Sequence, residues 1–305
     1  MRKIVLNDKK NAERAFIIGM VIYPLILFAV FYVYVNLNSL FLAFQNIDIN
    51  GNVTFAGFQN FKTFIVSLIN DPLTSISFRN SFIIYGVNLV ICLPLYILFS
   101  YMLFKKCLFN RSMRIVVMLP QIISGTLIGL MFTQVVDIAI PAAVQNITGK
   151  DRMISLLKNP DTALWTCIFY MIWVSFSTSL IVYPNAMSGI NPEIFEAAQL
   201  DGVRNMFQEM KHIILPLIYP TVSTFLITGF AGILTNSGPL SLFWMYDAES
   251  EVYNMGYYYF VKIFGQSATY LDYPYLSAGG LLMTAFVAPM TYFIKRILER
   301  FEPEV

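Results

Sequence analysis

The side chains that could do chemistry are concentrated in one short stretch, FEAAQLDGVRNMFQEMKHIILP, which covers residues 195–216. Long apolar runs lie on both sides of it. Its ionisable residues are Glu196, Asp201, Arg204, Glu209, Lys211 and His212, the single histidine of the chain. A membrane-embedded enzyme would need a constellation of His, Asp or Glu in or near the membrane, and this histidine lies in a charged connector. We therefore interpret His212 as a solvated residue on a polar face rather than as a catalytic group or a pH sensor.

The segment 188–215, called the insert below, is predicted to form two short surface helices joined by a bend. Asn191 is a good N-cap, and Pro192 suits the first helical position. Gly202 favours the left-handed conformation that ends a helix. The apolar residues that follow recur with the period of one helix face, at Val203, Met206, Phe207, Met210, Ile213 and Ile214. Pro216 is expected to mark the entry to the next hydrophobic span.

Two interpretations of the insert are open on this pattern. An amphipathic connector could rest on lipid headgroups, but such a helix usually carries a basic polar face. The polar face here holds acids and bases together. With its apolar ridge it fits a groove on a protein partner better.

Composition places this insert in a membrane protein. The 305 residues are 57% hydrophobic and 12% charged, whereas soluble domains carry about 25% charged residues. The net charge of +2 and the lack of long basic runs give no motive for nucleic-acid binding. The three cysteines are too widely spaced to suggest a disulfide framework or a thiolate metal site.

Six segments are apolar over about 20 residues, the length that crosses a bilayer as a helix. They cover roughly 15–36, 81–104, 115–136, 163–187, 216–236 and 276–294. The connections between them are too short to hide a soluble domain. The sequence therefore predicts an all-α membrane protein, with residues 1–305 forming a single transmembrane domain of six helices.

The distribution of Lys and Arg predicts the orientation of this domain. The N-terminus holds five, the 105–114 loop four, the insert two and the C-terminal tail three, while the remaining connections share six over a greater length. Positive charge accumulates on the cytoplasmic side of membrane proteins. Both termini and the insert are thus expected in the cytoplasm.

No Asp, Glu, Lys, Arg or His falls inside the six predicted spans. Ion-driven carriers usually need such a group inside the membrane as a coupling site. Unwound helices could still bind sodium through carbonyl groups alone, so an ion-coupled carrier stays open as an alternative. A scaffold that docks a partner through the insert without transport is a second alternative.

Polar and aromatic residues within the predicted spans are candidates for a substrate pathway. They are Tyr85, Asn88, Gln121, Ser124, Tyr170, Trp173, Ser175 and Ser177. Each could instead form a helix–helix hydrogen bond or an interfacial aromatic contact. Together they would suit a neutral, hydroxyl-rich ligand, because they offer no fixed charge to an ionic one.

The stretch EAAQLDG, residues 196–202, followed by IILP, residues 213–216, resembles the EAA loop of ABC importer permeases. In that family an E-A-A triplet is followed by a glycine and then by I-x-L-P, just before the penultimate span. Further elements resemble the carbohydrate branch of the family: FAGFQNF at 55–61, FRNSF at 78–82, LPQIISGTLIGLMF at 119–132 and LTNSGPLSL at 234–242. The chain is thus identified by resemblance as an ABC importer permease.

The resemblance implies a type I importer permease fold in a bacterial cell membrane. It implies a second permease subunit, two cytoplasmic ATPase subunits and an extracytoplasmic solute-binding protein as partners. The chain lacks the phosphate-binding pattern G-x-x-x-x-G-K-[ST], so no cofactor is expected on it, and ATP and Mg belong to the ATPases.

The insert is then expected to be the coupling element between permease and ATPase. Its coupling residues would be Glu196, Ala197, Ala198, Asp201 and Gly202, with the ridge residues Met206, Phe207 and Met210 entering an ATPase groove. The expected function is uptake of an oligosaccharide, and a permease of the same class for another solute is the closest alternative.

Overall fold

The computed structural model describes residues 2–106, 122–149 and 154–303, together with Ile115 and Pro120. Within these residues six helices are long and apolar enough to cross a membrane, and they are numbered first to sixth below. They are Phe16–Ala43, Pro72–Phe104, Gly125–Thr148, Pro160–Ser188, Met206–Ala231 and Tyr270–Arg300. The predicted six-helix membrane protein is confirmed.

Several of the long helices are built from segments. The first begins within Arg2–Leu27 and continues through a π-helical segment, Phe28–Tyr34, into Val35–Ala43. The second contains Pro72–Val87, Asn88–Cys92 and Leu93–Phe104. The third contains Gly125–Gln134, Val135–Ala139 and Ile140–Thr148, and the fifth contains Met206–Glu209, Met210–Ile214 and Leu215–Ala231. Shorter elements are Gln59–Asn70, Pro192–Leu200, Leu240–Trp244, Ser250–Val252, Met255–Phe264 and Tyr270–Asp272, the last of which leads into Tyr273–Arg300.

The chain divides into two compact units. One contains the residues up to Ile65 together with Thr269–Leu282, and the other contains Val66–Ala268 together with the residues from Met283 onwards. The cavity and the insert described below both belong to the second unit.

In the first unit a short antiparallel hairpin follows the first long helix. It pairs Gln45–Ile47 with Val53–Phe55. The Asn60 side-chain amide donates to the carbonyl oxygens of Ala43, at 3.0 Å, and Gln45, at 2.7 Å. Asn60 therefore ties the FAGFQNF element to the end of the first helix.

Three long helices share one local device, a five-residue π-helical segment that ends just before an X-Pro pair. These segments are Asn88–Cys92, Val135–Ala139 and Met210–Ile214, ahead of Pro94, Pro141 and Pro216. In each case the residue before the proline donates its N–H to the carbonyl at the start of the segment. A proline ring clashes with the carbonyl four residues earlier, and a widened turn relieves that clash. The prolines are thereby accommodated inside the helices.

The fifth helix begins at Met206, not near residue 216 as the sequence predicts. Pro216 was expected to separate a surface helix from the span, but the π-helical segment before it lets one helix continue. The second helix of the insert is therefore the first part of the fifth long helix.

The third helix also differs from its prediction. It covers Gly125–Thr148 rather than 115–136, and much of the first part of that predicted span lies outside the described residues. The helix continues because Pro141 is accommodated, and it stops at Gly149, which has a φ of 66°. As a consequence Asp137 lies within the helix, where its carboxylate accepts a hydrogen bond from the Ser155 hydroxyl.

The expectation that the spans lack ionisable groups is therefore wrong for the helices as the structure bounds them. Besides Asp137, the second helix contains Arg79 and the fifth contains Glu209, Lys211 and His212. The reason is that the helices extend beyond the hydrophobic windows from which their bounds were predicted.

The core of the second unit joins the second, fourth and fifth helices. Its fully packed residues are Cys92, Tyr96, Ile97, Tyr101, Tyr183, Met187, Ile214, Ile218 and Val222. Phe195, Met206 and Met210 of the insert pack against this core. The insert is thus anchored to three of the long helices.

Candidate functional site

A cavity of about 380 Å³ lies between the second, fourth and fifth helices. Small-molecule sites in proteins typically have volumes of about 300–1,000 Å³. Its lining residues are Tyr85, Asn88, Leu89, Leu93, Tyr96, Ser175, Thr178, Ser179, Tyr183, Phe225, Leu226, Thr228 and Gly229. Its size and place suit a solute-binding site inside the membrane domain.

The lining combines aromatic faces with hydroxyl and amide groups. None of these lining residues, all within the described chain, is charged. The Asn88 side chain forms no hydrogen bond to the described residues and is therefore available to a ligand. The cavity can thus stack on a ring and hydrogen-bond to hydroxyl groups, but it offers no counter-ion to a charged solute.

Tyr85 is held in the cavity wall by the fifth helix. Its hydroxyl donates to the Leu226 carbonyl oxygen at 3.2 Å, and its ring meets Phe230 edge-on with 5.6 Å between the ring centroids. A Cβ at Gly229 would lie 3.4 Å from the ring. The tyrosine ring therefore lies close against the fifth helix.

The structure brings together three of the residues singled out from the sequence, Tyr85, Asn88 and Ser175. Sequence reasoning missed Thr178 and Ser179 on the fourth helix and Thr228 on the fifth. A signal for the first two was present, since Ser175, Thr178 and Ser179 have the spacing of one helix face.

The other pathway candidates do not line this cavity. Tyr170 is buried in an aromatic cluster, 4.9 Å from Phe132 and 6.1 Å from Trp173 between ring centroids. Ser177 is buried, and Ser124 is exposed at the start of the third helix. Gln121 lies outside the described residues.

The first arm of the insert is the helix Pro192–Leu200. Asn191 caps it by accepting the Glu193 N–H at 3.1 Å, as the sequence predicts. Its end has the two hydrogen bonds of a Schellman motif, from Val203 N to Ala198 O at 2.9 Å and from Gly202 N to Gln199 O at 3.2 Å.

Gly202 has a φ of 94°, which confirms the predicted left-handed stop. Among the predicted coupling residues of the first arm, Ala198 is half-buried, and the exposed ones are Glu196, Ala197 and Asp201. The bend therefore presents a polar, accessible surface.

The second arm differs from the predicted apolar ridge. Asn205 accepts the Gln208 N–H at 2.9 Å, so the helix begins at Met206 and excludes Val203. Met206 and Met210 pack on the chain's own core, whereas 77% of Phe207 is exposed.

Of the predicted ridge, Phe207 alone therefore projects freely. The reason is that the fifth helix packs against the second and fourth helices along the face that carries both methionines. Leu200, 90% exposed, adds a second accessible apolar group beside the bend. His212 is exposed and contacts the Gln208 carbonyl through Nδ1 at 3.0 Å, which agrees with a solvated polar-face residue.

At the opposite end of the second helix, Asn80 holds the segment 250–255. Its buried amide donates to the carbonyl oxygens of Glu251, at 2.7 Å, and Tyr253, at 2.9 Å. The Ser81 hydroxyl oxygen accepts the Met255 N–H at 2.9 Å. The FRNSF element is therefore an anchor for the connection between the fifth and sixth helices.

The connection is also closely packed around this anchor. A Cβ at Gly256 would lie 2.5 Å from the backbone of Asn236 and Ser237. Burial raises the pKa of Tyr257 to about 12 and, with a smaller contribution from Asp247, raises the pKa of Tyr253. Both phenols therefore stay protonated at neutral pH.

Comparison with known proteins assigns the chain to a family. Residues 69–305 match the model of the family described as binding-protein-dependent transport system inner membrane component. MsmF, a multiple sugar-binding transport system permease protein of Streptococcus mutans, is 27% identical over 222 residues, covering 70% of this chain and 72% of that protein.

A second relative is YteP of Bacillus subtilis, a polygalacturonan/rhamnogalacturonan transport system permease protein. It is 25% identical over 212 residues, which cover 68% of this chain and 65% of YteP, a little under two thirds of its length. Among solved structures, a bacterial ABC transporter involved in import of the acidic polysaccharide alginate has a similar fold. Its TM-score is 0.75 at 20% identity, over 96% of this chain and 99% of that one.

These matches confirm the resemblance drawn from the EAAQLDG and IILP elements, and the fold similarity agrees with the six-helix architecture. The chain therefore belongs to the family of binding-protein-dependent transport system inner membrane components, and it is a transport component rather than an enzyme.

Proposed function

We propose that this chain is a permease subunit of an ATP-driven importer for neutral oligosaccharides. The observation that carries the proposal is the cavity between the second, fourth and fifth helices. It is lined by tyrosines, hydroxyl groups and an amide, and by no charged residue within the described chain.

Sugar chemistry matches this lining. Aromatic faces stack on pyranose rings, and hydroxyl and amide groups hydrogen-bond to sugar hydroxyls. Relatives at 25–27% identity are named for multiple sugars and for polygalacturonan. A uronic-acid polymer carries carboxylates that are best recognised by Arg or Lys, so the uncharged cavity favours neutral sugars over acidic ones.

The insert would couple this cavity to ATP hydrolysis on two partner ATPase subunits, which would hold ATP and Mg. Glu196, Asp201 and the bend at Gly202 would meet the ATPase, and Phe207 would fill an apolar pocket on it. Lys and Arg are concentrated at the two termini and in the 105–114 loop, which favours a cytoplasmic position for them and, through the alternation of six spans, for the insert.

The remaining partners follow from the same proposal. A second permease would complete the pathway across the bacterial cell membrane. A solute-binding protein would deliver the sugar from outside; a related alginate transporter has been crystallised with its pentasaccharide-bound periplasmic protein.

Uptake in proteoliposomes tests the proposal. The whole complex, purified through this chain with its partner subunits, is supplied with ATP and with a neutral tetrasaccharide or a galacturonic-acid tetrasaccharide. We expect uptake of the neutral sugar. Asn88→Ala should lower this uptake about tenfold, because a hydrogen bond to a bound ligand is worth roughly 1–1.5 kcal/mol.

Ser124→Ala is the matched control, because this exposed hydroxyl lies outside the cavity. Preferred uptake of the galacturonic-acid sugar would contradict the neutral specificity. Equal losses in Asn88→Ala and Ser124→Ala would contradict the assignment of the cavity.

A further inference from the structure

The end of the second helix contacts both arms of the insert through one side chain, Lys105. Its ammonium lies 2.5 Å from Oε1 of Glu209, on the second arm. The same ammonium lies 4.8 Å from the ring centroid of Phe195, on the first arm, within the range of cation–π contacts. One residue thus bridges the two arms on either side of the bend at Gly202.

The Lys105–Glu209 pair is not an ordinary surface ion pair. The Glu209 side chain is 15% exposed and that of Lys105 is 34% exposed. The buried Glu209 Oε1 has no hydrogen-bond partner in the described chain, so the Lys105 ammonium is the contact that compensates its charge. A buried carboxylate that loses its cation is strongly disfavoured, which makes the position of Glu209 depend on Lys105.

Apolar packing surrounds this pair and fixes its geometry. Phe104 and Phe195 lie with 5.8 Å between their ring centroids, and the Lys105 ammonium is 5.8 Å from the ring of Phe104. Met206 and Met210 pack on the same core. The insert and the end of the second helix are therefore joined by a charged contact embedded in aromatic packing.

The second helix extends from this contact to the cavity. Asn88 and Leu89, in the π-helical segment of the second helix, line the cavity. Lys105 follows directly after Phe104, the last residue of the same helix. At 1.5 Å per residue the distance from Asn88 to Lys105 is roughly 25 Å. A displacement of the insert would reach the cavity wall along this helix if the contact at Lys105 holds.

We propose that Lys105 is a positioning residue for transport: with Glu209 and Phe195 it fixes the insert to the second helix, so that movement of the insert shifts the cavity wall. This inference rests on the coupling role proposed above. Lys105 does not line the cavity, so we expect it to act on transport through the insert rather than through direct contact with the sugar. Its loss would separate ATP hydrolysis from the substrate signal rather than abolish assembly.

The test uses the whole complex in proteoliposomes with the sugar-loaded binding protein. Lys105→Met keeps the aliphatic stem and removes the charge, and Glu209→Gln removes the opposite charge. The double variant Lys105→Glu/Glu209→Lys exchanges them. Lys106→Met is the matched control, because this neighbouring lysine forms no ion pair among the described residues.

The readouts are ATPase subunits bound per complex and stimulation of ATP hydrolysis by the loaded binding protein. We expect both single variants to retain the ATPase subunits and to lose about fivefold or more of the stimulation, a typical size for coupling between distant sites. The exchanged pair should recover most of it, and Lys106→Met should behave as the unmodified complex does.

Equal stimulation in Lys105→Met and Lys106→Met would overturn the inference. So would an exchanged pair that is no better than the single variants. If a single variant fails to reach the membrane, the exchanged pair alone decides: recovered stimulation supports the inference, and lost stimulation contradicts it. If the unmodified complex shows no stimulation, the proposed coupling function itself fails, and this inference fails with it.

Discussion

Gly202 shows how one backbone conformation defines the bend of the insert. Its φ of 94° lies in the left-handed region, which costs an ordinary residue roughly 1–2 kcal/mol and a β-branched residue more. Gly202→Val should therefore distort the bend and impair substrate-stimulated ATP hydrolysis while the six helices still insert.

Gly202→Asn is the control, because asparagine tolerates the left-handed conformation at helix ends. Stimulated ATP hydrolysis in proteoliposomes is the measurement. Normal stimulation in Gly202→Val, or an equal loss in both variants, would show that the conformation of the bend is not what matters.

The exposed Phe207 makes a second prediction at the residue scale. Burying such a side chain against a partner stabilises a complex by roughly 1.5–3 kcal/mol. Phe207→Ala should weaken ATPase binding about tenfold or more while leaving the thermal stability of the chain unchanged.

Lys211→Ala is the matched exposed control, since a single exposed ion pair contributes under about 1 kcal/mol. Met210→Ala should lower the thermal stability of the chain and leave ATPase binding unchanged, because Met210 packs on the chain's own core. Co-purification of the ATPase at equal levels of folded permease separates these cases. Full ATPase retention by Phe207→Ala together with loss by Lys211→Ala would contradict the assignment of faces.

Single residues also show which parts of the site the sequence could predict. The cap at Asn191 and the stop at Gly202 depend on neighbouring backbone groups, so their residue types are enough to predict them. The separation of Phe207 from Met206 and Met210 depends on which helices pack nearby. That information is not contained in the local period.

Among the elements, the second helix is held at both ends, by Lys105 near the insert and by Asn80 near the segment 250–255. Asn80→Leu would leave the buried Tyr253 carbonyl and the partly buried Glu251 carbonyl without this donor, and an unsatisfied buried group costs roughly 1–3 kcal/mol. We expect a lower unfolding temperature of the purified chain and a cysteine placed at residue 250 to label faster.

Asn36→Ala is the control, because among the described residues its exposed amide bonds only to the Tyr32 carbonyl within its own helix. An unchanged labelling rate in Asn80→Leu would mean that the segment is held by packing alone.

Helix bounds were the least predictable elements, and prolines account for much of the difference. Pro216 was expected to mark the start of the fifth span, because proline cannot donate a backbone hydrogen bond. The π-helical turns before Pro141 and Pro216 let the third and fifth helices continue through both prolines. As a result the third and fifth helices include Asp137, Glu209 and Lys211, which hydropathy had left outside the spans.

At the scale of the whole molecule, composition and hydropathy were sufficient for the class and the number of helices. The cavity was only partly predictable. Tyr85, Asn88 and Ser175 could be chosen as polar or aromatic groups within spans, but their convergence depends on the packing of three helices. Tyr170 and Trp173 instead form an aromatic cluster with Phe132 of the third helix.

Asp137 bears on the alternative that the chain is an ion-coupled carrier, because such carriers use carboxylates within the membrane. In this chain the carboxylate bonds to Ser155 and does not line the cavity. The energy source that we propose for this member of the binding-protein-dependent family is ATP.

The most direct test of the account is the energy source for uptake of a neutral tetrasaccharide. Proteoliposomes that hold the complete complex are given the loaded binding protein outside. They are energised either with ATP inside or with a proton or sodium gradient across the membrane. We expect accumulation with ATP alone, unchanged when ionophores collapse both gradients, and lost in Gly202→Val. Accumulation driven by an ion gradient without ATP, and unaffected by Gly202→Val, would contradict it.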